Sequence, residues 1–193
     1  VGGGSTWTPG ILKALTKHKE KLPLKKVKLY DIDKERQETI GEFGIVLFKE
    51  EYPEVEFAYT TDKKNAYTDV DFVFCQMRTG GYPMREKDEH IPLSLGVIGQ
   101  ETCGPGGFAY GIRSIKDMVE MVKDVREYSP KAWILNYTNP AAIVAYALKK
   151  VFPEVKINGE NTFYNLLNVQ FPLSEEKTSM LLFTLDMKGI AVS

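Results

Sequence analysis

A glycine-rich turn at the start of the chain constrains its fold more than any other feature. Residues 1–10 read VGGGSTWTPG, and a short apolar segment, Val27–Tyr30, runs later into Asp31. Glycines let backbone amides approach a pyrophosphate closely, and the following helix presents its positive N-terminal end to the charge. An acid after the next strand binds ribose hydroxyls and repels a 2′-phosphate. The pattern predicts a dinucleotide site that prefers NAD to NADP.

The helix after the turn has a recognisable start. Thr8 is predicted to cap free amides, Pro9 suits the first turn, and the apolar stripe that faces a sheet is Ile11, Leu12 and Leu15. Trp7 stands where the usual fingerprint has its third glycine, so a plain strand-to-helix turn remains the alternative to a cofactor site.

Strands and helices alternate along the chain. The predicted elements are a helix over 33–51, strands at 55–59 and 70–75, a helical piece at 65–67, a helix over 114–127, a strand at 132–136 and a helix from Pro140 to Lys150. This order predicts an α/β fold, a Rossmann-like doubly wound parallel sheet with ligands beyond the carboxyl ends of its strands. Since only Val1 precedes the turn, where a central strand is expected, we expect the natural chain to begin several residues earlier.

Composition narrows the possible partners and compartments. The 193 residues are 43% apolar, and the formal net charge is −1. No basic face for nucleic acid or an anionic membrane is predicted, and the lysines between Lys13 and Lys26 are expected to be solvated. Two cysteines, Cys75 and Cys103, cannot build a disulfide framework, and no signal peptide or membrane span is apparent, so we expect a cytoplasmic protein.

Two segments and one side chain are expected at the ligand edge of the sheet. They are residues 76–89, the glycine-rich loop 99–107 and Asn139, each of which follows a predicted strand or leads into a helix. Glycine and proline are so frequent in 99–107 that the loop is expected to lie against a ligand.

Five motifs together resemble glycoside hydrolase family four. They are VGGGST with TPG (1–10), KLYD (28–31), TDVDFV (68–73), GQETCGPGG (99–107) and NYTNPAA (136–142), and the resemblance covers roughly residues 1–157. The Cys103-Gly104-Pro105 form of the loop is similar to the 6-phospho-α-glucosidases of that family, with 6-phospho-β-glucosidases as the alternative.

The resemblance implies an unusual hydrolysis. Enzymes of this family use NAD and a divalent metal, usually Mn²⁺, to oxidise the sugar at C3, remove the C2 proton and eliminate the glycosidic oxygen. The implied substrate is a 6-phospho-α-glucoside such as maltose 6′-phosphate, and the implied assembly is a homo-oligomer, a dimer or tetramer.

Carried over residue by residue, the resemblance implies several roles. Gly2, Gly4 and Ser5 hold the pyrophosphate and Asp31 the adenosine ribose. Glu101 is the acid near the leaving group, Arg85 binds the 6-phosphate with its planar guanidinium, and Asn139 binds sugar hydroxyls. Arg78 and Arg113 are weaker candidates that are equally able to pair with structural carboxylates.

Simpler interpretations stand beside these roles. Glu101 can be a solvent-facing acid, Cys75 a packing residue, and His18 and His90 surface groups. Asp69 and Asp71 are accounted for by capping or turn roles.

The resemblance breaks down after residue 157. The cysteine and histidine that hold the family's metal and the tyrosine that acts as its C2 base have no counterparts, so the metal ligands are unknown and Tyr164 is no convincing base. We therefore predict an NAD-binding domain at 1–157 and, at 158–193, pieces of a substrate and metal domain. A truncated, non-catalytic dinucleotide-binding fragment is the alternative. A hydroxyacid dehydrogenase is disfavoured, because neither His18 nor His90 is placed as its catalytic histidine.

Overall fold

A computed structural model describes residues 1–155. The elements follow in the order α1 (Thr8–Lys17), β1 (Lys26–Tyr30), α2 (Lys34–Glu51), β2 (Glu56–Thr60), α3 (Lys63–Tyr67), β3 (Phe72–Cys75), α4 (Gly81–Ser94), α5 (Gly104–Tyr128), β4 (Trp133–Asn136) and α6 (Ala141–Val151). The predicted tail, 158–193, and Tyr164 lie outside the described residues, so the domain boundary stays a prediction.

The strands pair in parallel, as the alternation predicts. β1 pairs with β2, placing Lys26 opposite Glu56, and β3 pairs with β4, placing Phe72 opposite Trp133. The start of the chain lies between these pairs. The Val1 nitrogen donates to the Phe74 carbonyl at 2.7 Å, and the Gly3 amide donates to the Tyr30 carbonyl at 2.9 Å. The α/β, Rossmann-like fold is confirmed.

Helices α1 and α2 bury one apolar cluster against β1. Leu12 and Phe48 are almost fully buried there, and the Phe48 and Phe57 rings stack with centroids 4.9 Å apart. Leu15 packs against the same cluster, so the predicted apolar stripe of α1 does face the sheet. Burying each such side chain stabilises the fold by about 1.5–3 kcal/mol.

A second cluster lies between β3, α5 and α6. Val73, Met118 and Val144 are buried in it. Cys75 is fully buried, with its sulfur 3.5 Å from that of Met118 and 3.2 Å from the Thr138 hydroxyl. The packing interpretation of Cys75 is therefore confirmed.

Two local predictions are wrong. Thr8 does not cap α1; it is the first helical residue, and its hydroxyl accepts a hydrogen bond from the Gln76 side chain at 2.8 Å. Helix α5 begins at Gly104 rather than Ser114. A Cβ on Gly106 would lie 2.3 Å from the Asp88 carbonyl oxygen, so this glycine lets α5 pack closely against α4.

No helix within residues 1–155 is both long enough and apolar enough to cross a bilayer.

Candidate functional site

The glycine-rich turn packs closely against its neighbours. Gly2 has φ +79°, and a Cβ there would lie 2.9 Å from the Gln76 carbonyl oxygen. A Cβ on Gly3 would lie 3.1 Å from the Leu29 Cβ. Gly2 therefore needs to be glycine, and Gly3 leaves little space for a Cβ where the turn lies between β1 and β3.

The peptide groups of Gly4 are held on both sides. Its amide donates to Asp31 Oδ2 at 2.8 Å, and its carbonyl accepts from Arg36 Nη2 at 3.2 Å. The predicted ribose-binding acid thus lies directly beside the predicted pyrophosphate turn. A Cβ on Gly4 would lie 3.0 Å from the Arg36 Cβ and 3.1 Å from Asp31 Oδ2, so glycine lets the turn lie against α2 while its amide is bound to Asp31.

The amide of Thr6 is a free donor just before α1. The Ser5 amide donates to the Gly2 carbonyl at 3.1 Å, and the Trp7 amide donates to the Ser5 hydroxyl at 3.2 Å. In residues 1–155, by contrast, no hydrogen bond involves the amide of Thr6, an exposed residue. It is an additional candidate for anion binding. Sequence reasoning missed it because a backbone donor leaves no residue-type signal.

The carboxyl ends of β3 and β4 are joined by Thr138. Its buried hydroxyl accepts from the Met77 amide at 3.1 Å, and its amide donates to the Asn136 side chain at 2.9 Å. Asn139 follows at this edge with an exposed side chain and a cis peptide bond to Pro140. Thr138 thus contacts the segment after β3, and the place of its neighbour Asn139 in a sugar site stays a prediction.

Four charged side chains, Arg78, Arg85, Glu89 and Glu101, form a group that we call the arginine–glutamate cluster. Glu101 Oε2 lies 2.6 Å from Arg78 Nη1 and 3.2 Å from Arg85 Nε. Arg85 Nε also donates to Glu89 Oε1 at 2.7 Å, which raises the pKa of Arg85. Because the Glu101 side chain is only 19% exposed, it is not a solvated surface acid in this structure.

Tyrosine rings flank Arg78 in this cluster. Its guanidinium carbon lies 5.3 Å from the ring centroid of Tyr110 and 6.0 Å from that of Tyr82. Burial raises the pKa of Tyr110, which keeps its phenol neutral. Such cation–π contacts contribute about 0.5–2 kcal/mol each, depending on desolvation.

Arg113 belongs to a structural pair. It binds the buried Asp88 carboxylate with both terminal amino groups, and its Nε donates to the Thr79 carbonyl at 3.1 Å. Of the two weaker arginine candidates, Arg113 thus pairs with a structural carboxylate, whereas Arg78 pairs with Glu101.

A pocket of about 370 Å³ adjoins Arg85 on α4. Its lining includes Tyr82, Glu89 and His90. His90 is exposed, as its interpretation as a surface group predicts, although it lies on the rim of the candidate site.

Residues 1–155 contain no candidate metal-binding group. Within residues 1–155, no group of three or more histidine, cysteine, aspartate or glutamate side chains could hold a metal ion. The described residues therefore do not make a metal site by themselves.

The fold, the turn and the acid after β1 place the chain in the Rossmann-type α/β class. More specifically, the chain belongs to glycosyl hydrolase family 4, because the model described as "Family 4 glycosyl hydrolase" matches residues 1–161.

Phospho-α-glucosidases are among its similar proteins. Phospho-alpha-glucosidase PagL of Clostridium acetobutylicum is 57% identical over 154 residues, which are 79% of this chain and 35% of the relative. A 6-phospho-alpha-glucosidase from gut microorganisms, solved with NAD and Mn²⁺, has 61% identity and a TM-score of 0.78, covering 79% of this chain and 35% of that structure. A second such enzyme, solved with NAD and glucose-6-phosphate, has 50% identity and a TM-score of 0.75, with the same coverage.

A 6-phospho-beta-glucosidase is less similar. The enzyme of Escherichia coli is 39% identical over 150 residues, 77% of this chain and 33% of the relative. The chain spans about a third of the length of the curated relatives that it matches.

Proposed function

We propose that the complete protein is an NAD- and Mn²⁺-dependent 6-phospho-α-glucosidase and that this chain carries its dinucleotide-binding domain. The identity to phospho-α-glucosidases, 57% against 39% for a phospho-β-glucosidase, is the observation that carries this choice of substrate. The proposed substrates are 6-phospho-α-glucosides such as maltose 6′-phosphate.

The turn fits the phosphate end of a dinucleotide. Gly2 and Gly4 let the turn fold tightly against Gln76 and Asp31, and the free Thr6 amide lies at the positive end of α1. Ser5 lies between Gly4 and Thr6 in the same turn, so we assign it to the pyrophosphate as well. When bound, NAD supplies a hydride acceptor for oxidation of the sugar.

Asp31 is proposed to bind the adenosine ribose. Its carboxylate already accepts from the Gly4 amide, and it can accept further hydrogen bonds from ribose hydroxyls. A 2′-phosphate would meet this negative charge, so the proposed cofactor is NAD.

The sugar is proposed to bind beside the arginine–glutamate cluster. Arg85 keeps both terminal amino groups free of hydrogen bonds in the described part of the chain, so they can grip a phosphate as a pair. Glu101 is assigned to proton transfer near the leaving group, and Asn139 to the sugar hydroxyls. No residue of 1–155 is assigned to the metal, because no group of three or more possible ligands lies together there.

The proposal is tested by release of p-nitrophenol from p-nitrophenyl α-glucoside 6-phosphate by the complete protein. We expect turnover that needs both NAD⁺ and Mn²⁺ and that is absent with unphosphorylated p-nitrophenyl α-glucoside. Preference for the β-linked phosphoglucoside would favour the alternative specificity. NADH binding without turnover of either substrate would favour the alternative that the protein binds a dinucleotide but is not a hydrolase.

We also propose a cytoplasmic homo-oligomer, a dimer or tetramer. Fractionation of cells and light scattering on the purified protein test these two statements, and a monomer at micromolar concentration would contradict the second.

A further inference from the structure

One oxygen of Glu101 is shared by two arginines from different elements. Arg78 comes from the segment that follows β3, and Arg85 comes from α4. Both approach Oε2, Arg78 at 2.6 Å and Arg85 at 3.2 Å. Within residues 1–155, no hydrogen bond involves Oε1 of Glu101. The carboxylate is therefore fixed through one oxygen and open at the other.

Arg78 makes the closer contact and has no competing carboxylate. Arg85 divides its Nε between Glu101 and Glu89, which lies 2.7 Å away on the same helix. Glu101 is the only carboxylate within 4.0 Å of Arg78 among the described residues. Of the two arginines, Arg78 thus contributes more to the orientation of Glu101.

The surroundings of Arg78 restrict its movement. The guanidinium carbon lies 5.3 Å from the ring centroid of Tyr110 on α5. Tyr110 is only 2% exposed, so packing in the protein interior holds its ring in place. The next residue, Thr79, makes two hydrogen bonds. Its carbonyl accepts from Arg113 Nε, and its hydroxyl donates to Asp117 Oδ2 at 2.7 Å. An arginine anchored in this way can hold a neighbouring carboxylate in one orientation.

We propose that Arg78 is a positioning residue that acts through Glu101. It holds Oε2 of Glu101 so that Oε1 is presented to the substrate, whereas Arg85 keeps its own contact with Glu89. This inference rests on the proposed function. It assigns to Arg78 no contact with substrate, so its loss should lower turnover more than it weakens substrate binding.

The test compares Arg78→Met, Arg78→Lys and the matched control Arg126→Met in the complete protein. Arg126 makes the same kinds of contact elsewhere, with Glu154 at 2.6 Å and with the Phe152 ring at 5.2 Å. The measurements are kcat and KM for p-nitrophenyl α-glucoside 6-phosphate, the Kd for NADH, and Tm.

For Arg78→Met we expect kcat to fall about ten- to hundredfold, the usual cost of a misplaced catalytic group, with KM and the NADH Kd within about threefold of wild type. Arg78→Lys should recover part of kcat, because it retains the positive charge. Arg126→Met should leave kcat, KM and the Kd for NADH unchanged.

Several outcomes would overturn the inference. One is a kcat for Arg78→Met within twofold of wild type. Another is an equal loss of kcat in Arg78→Met and Arg78→Lys, and a third is a change in KM with no change in kcat. Absence of activity in the wild-type protein would instead reject the proposed function. NADH binding and Tm verify that each variant is folded.

Discussion

Asp31 Oδ2 lies 2.8 Å from the amide nitrogen of Gly4, so the acid after β1 is joined directly to the glycine-rich turn. The contact arises because parallel strands end at a common edge of the sheet, where the turn also lies. Arg36 holds the carbonyl of the same glycine at 3.2 Å. The turn and the acid of the proposed cofactor site are thus held in place by contacts with each other and with Arg36.

Replacing Asp31 with alanine should weaken NADH binding about ten- to hundredfold, because hydrogen bonds to charged groups contribute about 1.5–3 kcal/mol. The drop in affinity is measured by fluorescence titration. Asp31→Ser should in addition raise the affinity for NADPH relative to NADH, since Arg36 is near enough to meet a 2′-phosphate. Asp124→Ala, which removes a carboxylate that pairs with Lys63 and makes no contact with the turn, is the control. An unchanged NADH affinity in Asp31→Ala would remove the ribose assignment.

The Asp31–Gly4 contact was predictable from the sequence, whereas the arginine–glutamate cluster was not. Strand ends and a glycine turn are local signals, and the topology then brings them together. Arg78, Arg85 and Glu101 come from three separate segments, and tertiary packing such as that of α4 against α5 at Gly106 brings such segments together. The same contact explains the error at the start of α5. The glycines and prolines of 99–107 predict a loop throughout, but Gly106 lies inside α5, where a side chain would meet Asp88.

Gly2 and Gly10 should respond oppositely to alanine. Gly2 has φ +79° and would place a Cβ 2.9 Å from a carbonyl oxygen, so Gly2→Ala should destabilise the protein by about 1–2 kcal/mol or more. Gly10 lies in α1 with nothing within 4 Å of its Cβ position, so Gly10→Ala should stabilise by about 0.5–1 kcal/mol. Thermal unfolding measures both, at about 2–4 °C per kcal/mol. A rise in Tm for Gly2→Ala would contradict the close packing of the turn.

Arg113→Met should be strongly destabilising, because it leaves the buried Asp88 carboxylate without its charged partner. Breaking one side of a buried ion pair costs about 3–5 kcal/mol, or a Tm loss on the order of 10 °C. The double variant Arg113→Met/Asp88→Asn removes the unpaired charge and should recover part of the loss. Urea unfolding measures the loss in free energy of unfolding for each variant. If the loss in the double variant equals the sum of the losses in the two single variants, the side chains are not coupled.

Glu101→Gln should reduce turnover by about 10²–10⁴-fold, the contribution typical of a group that transfers a proton. Glutamine keeps the shape of the side chain but loses the charge that pairs with Arg78 and Arg85. Because Asp31 and the turn are unaffected, the Kd for NADH should stay at the wild-type value. Glu120→Gln, on the outer surface of α5, is the matched control. A normal rate for Glu101→Gln would exclude it from the reaction.

Arg85→Ala should weaken glucose 6-phosphate binding far more than glucose binding. A guanidinium that grips a phosphate with two charge-assisted hydrogen bonds contributes about 3 kcal/mol, or roughly a hundredfold in affinity, and unphosphorylated glucose offers it no such partner. Arg85→Lys keeps the charge but loses the paired geometry, so it should fall between wild type and alanine. Calorimetric titration of both sugars into each variant, with NAD⁺ present, measures the difference. Equal losses for the two sugars would show that Arg85 shapes the site through Glu89 and Glu101 and does not bind the phosphate.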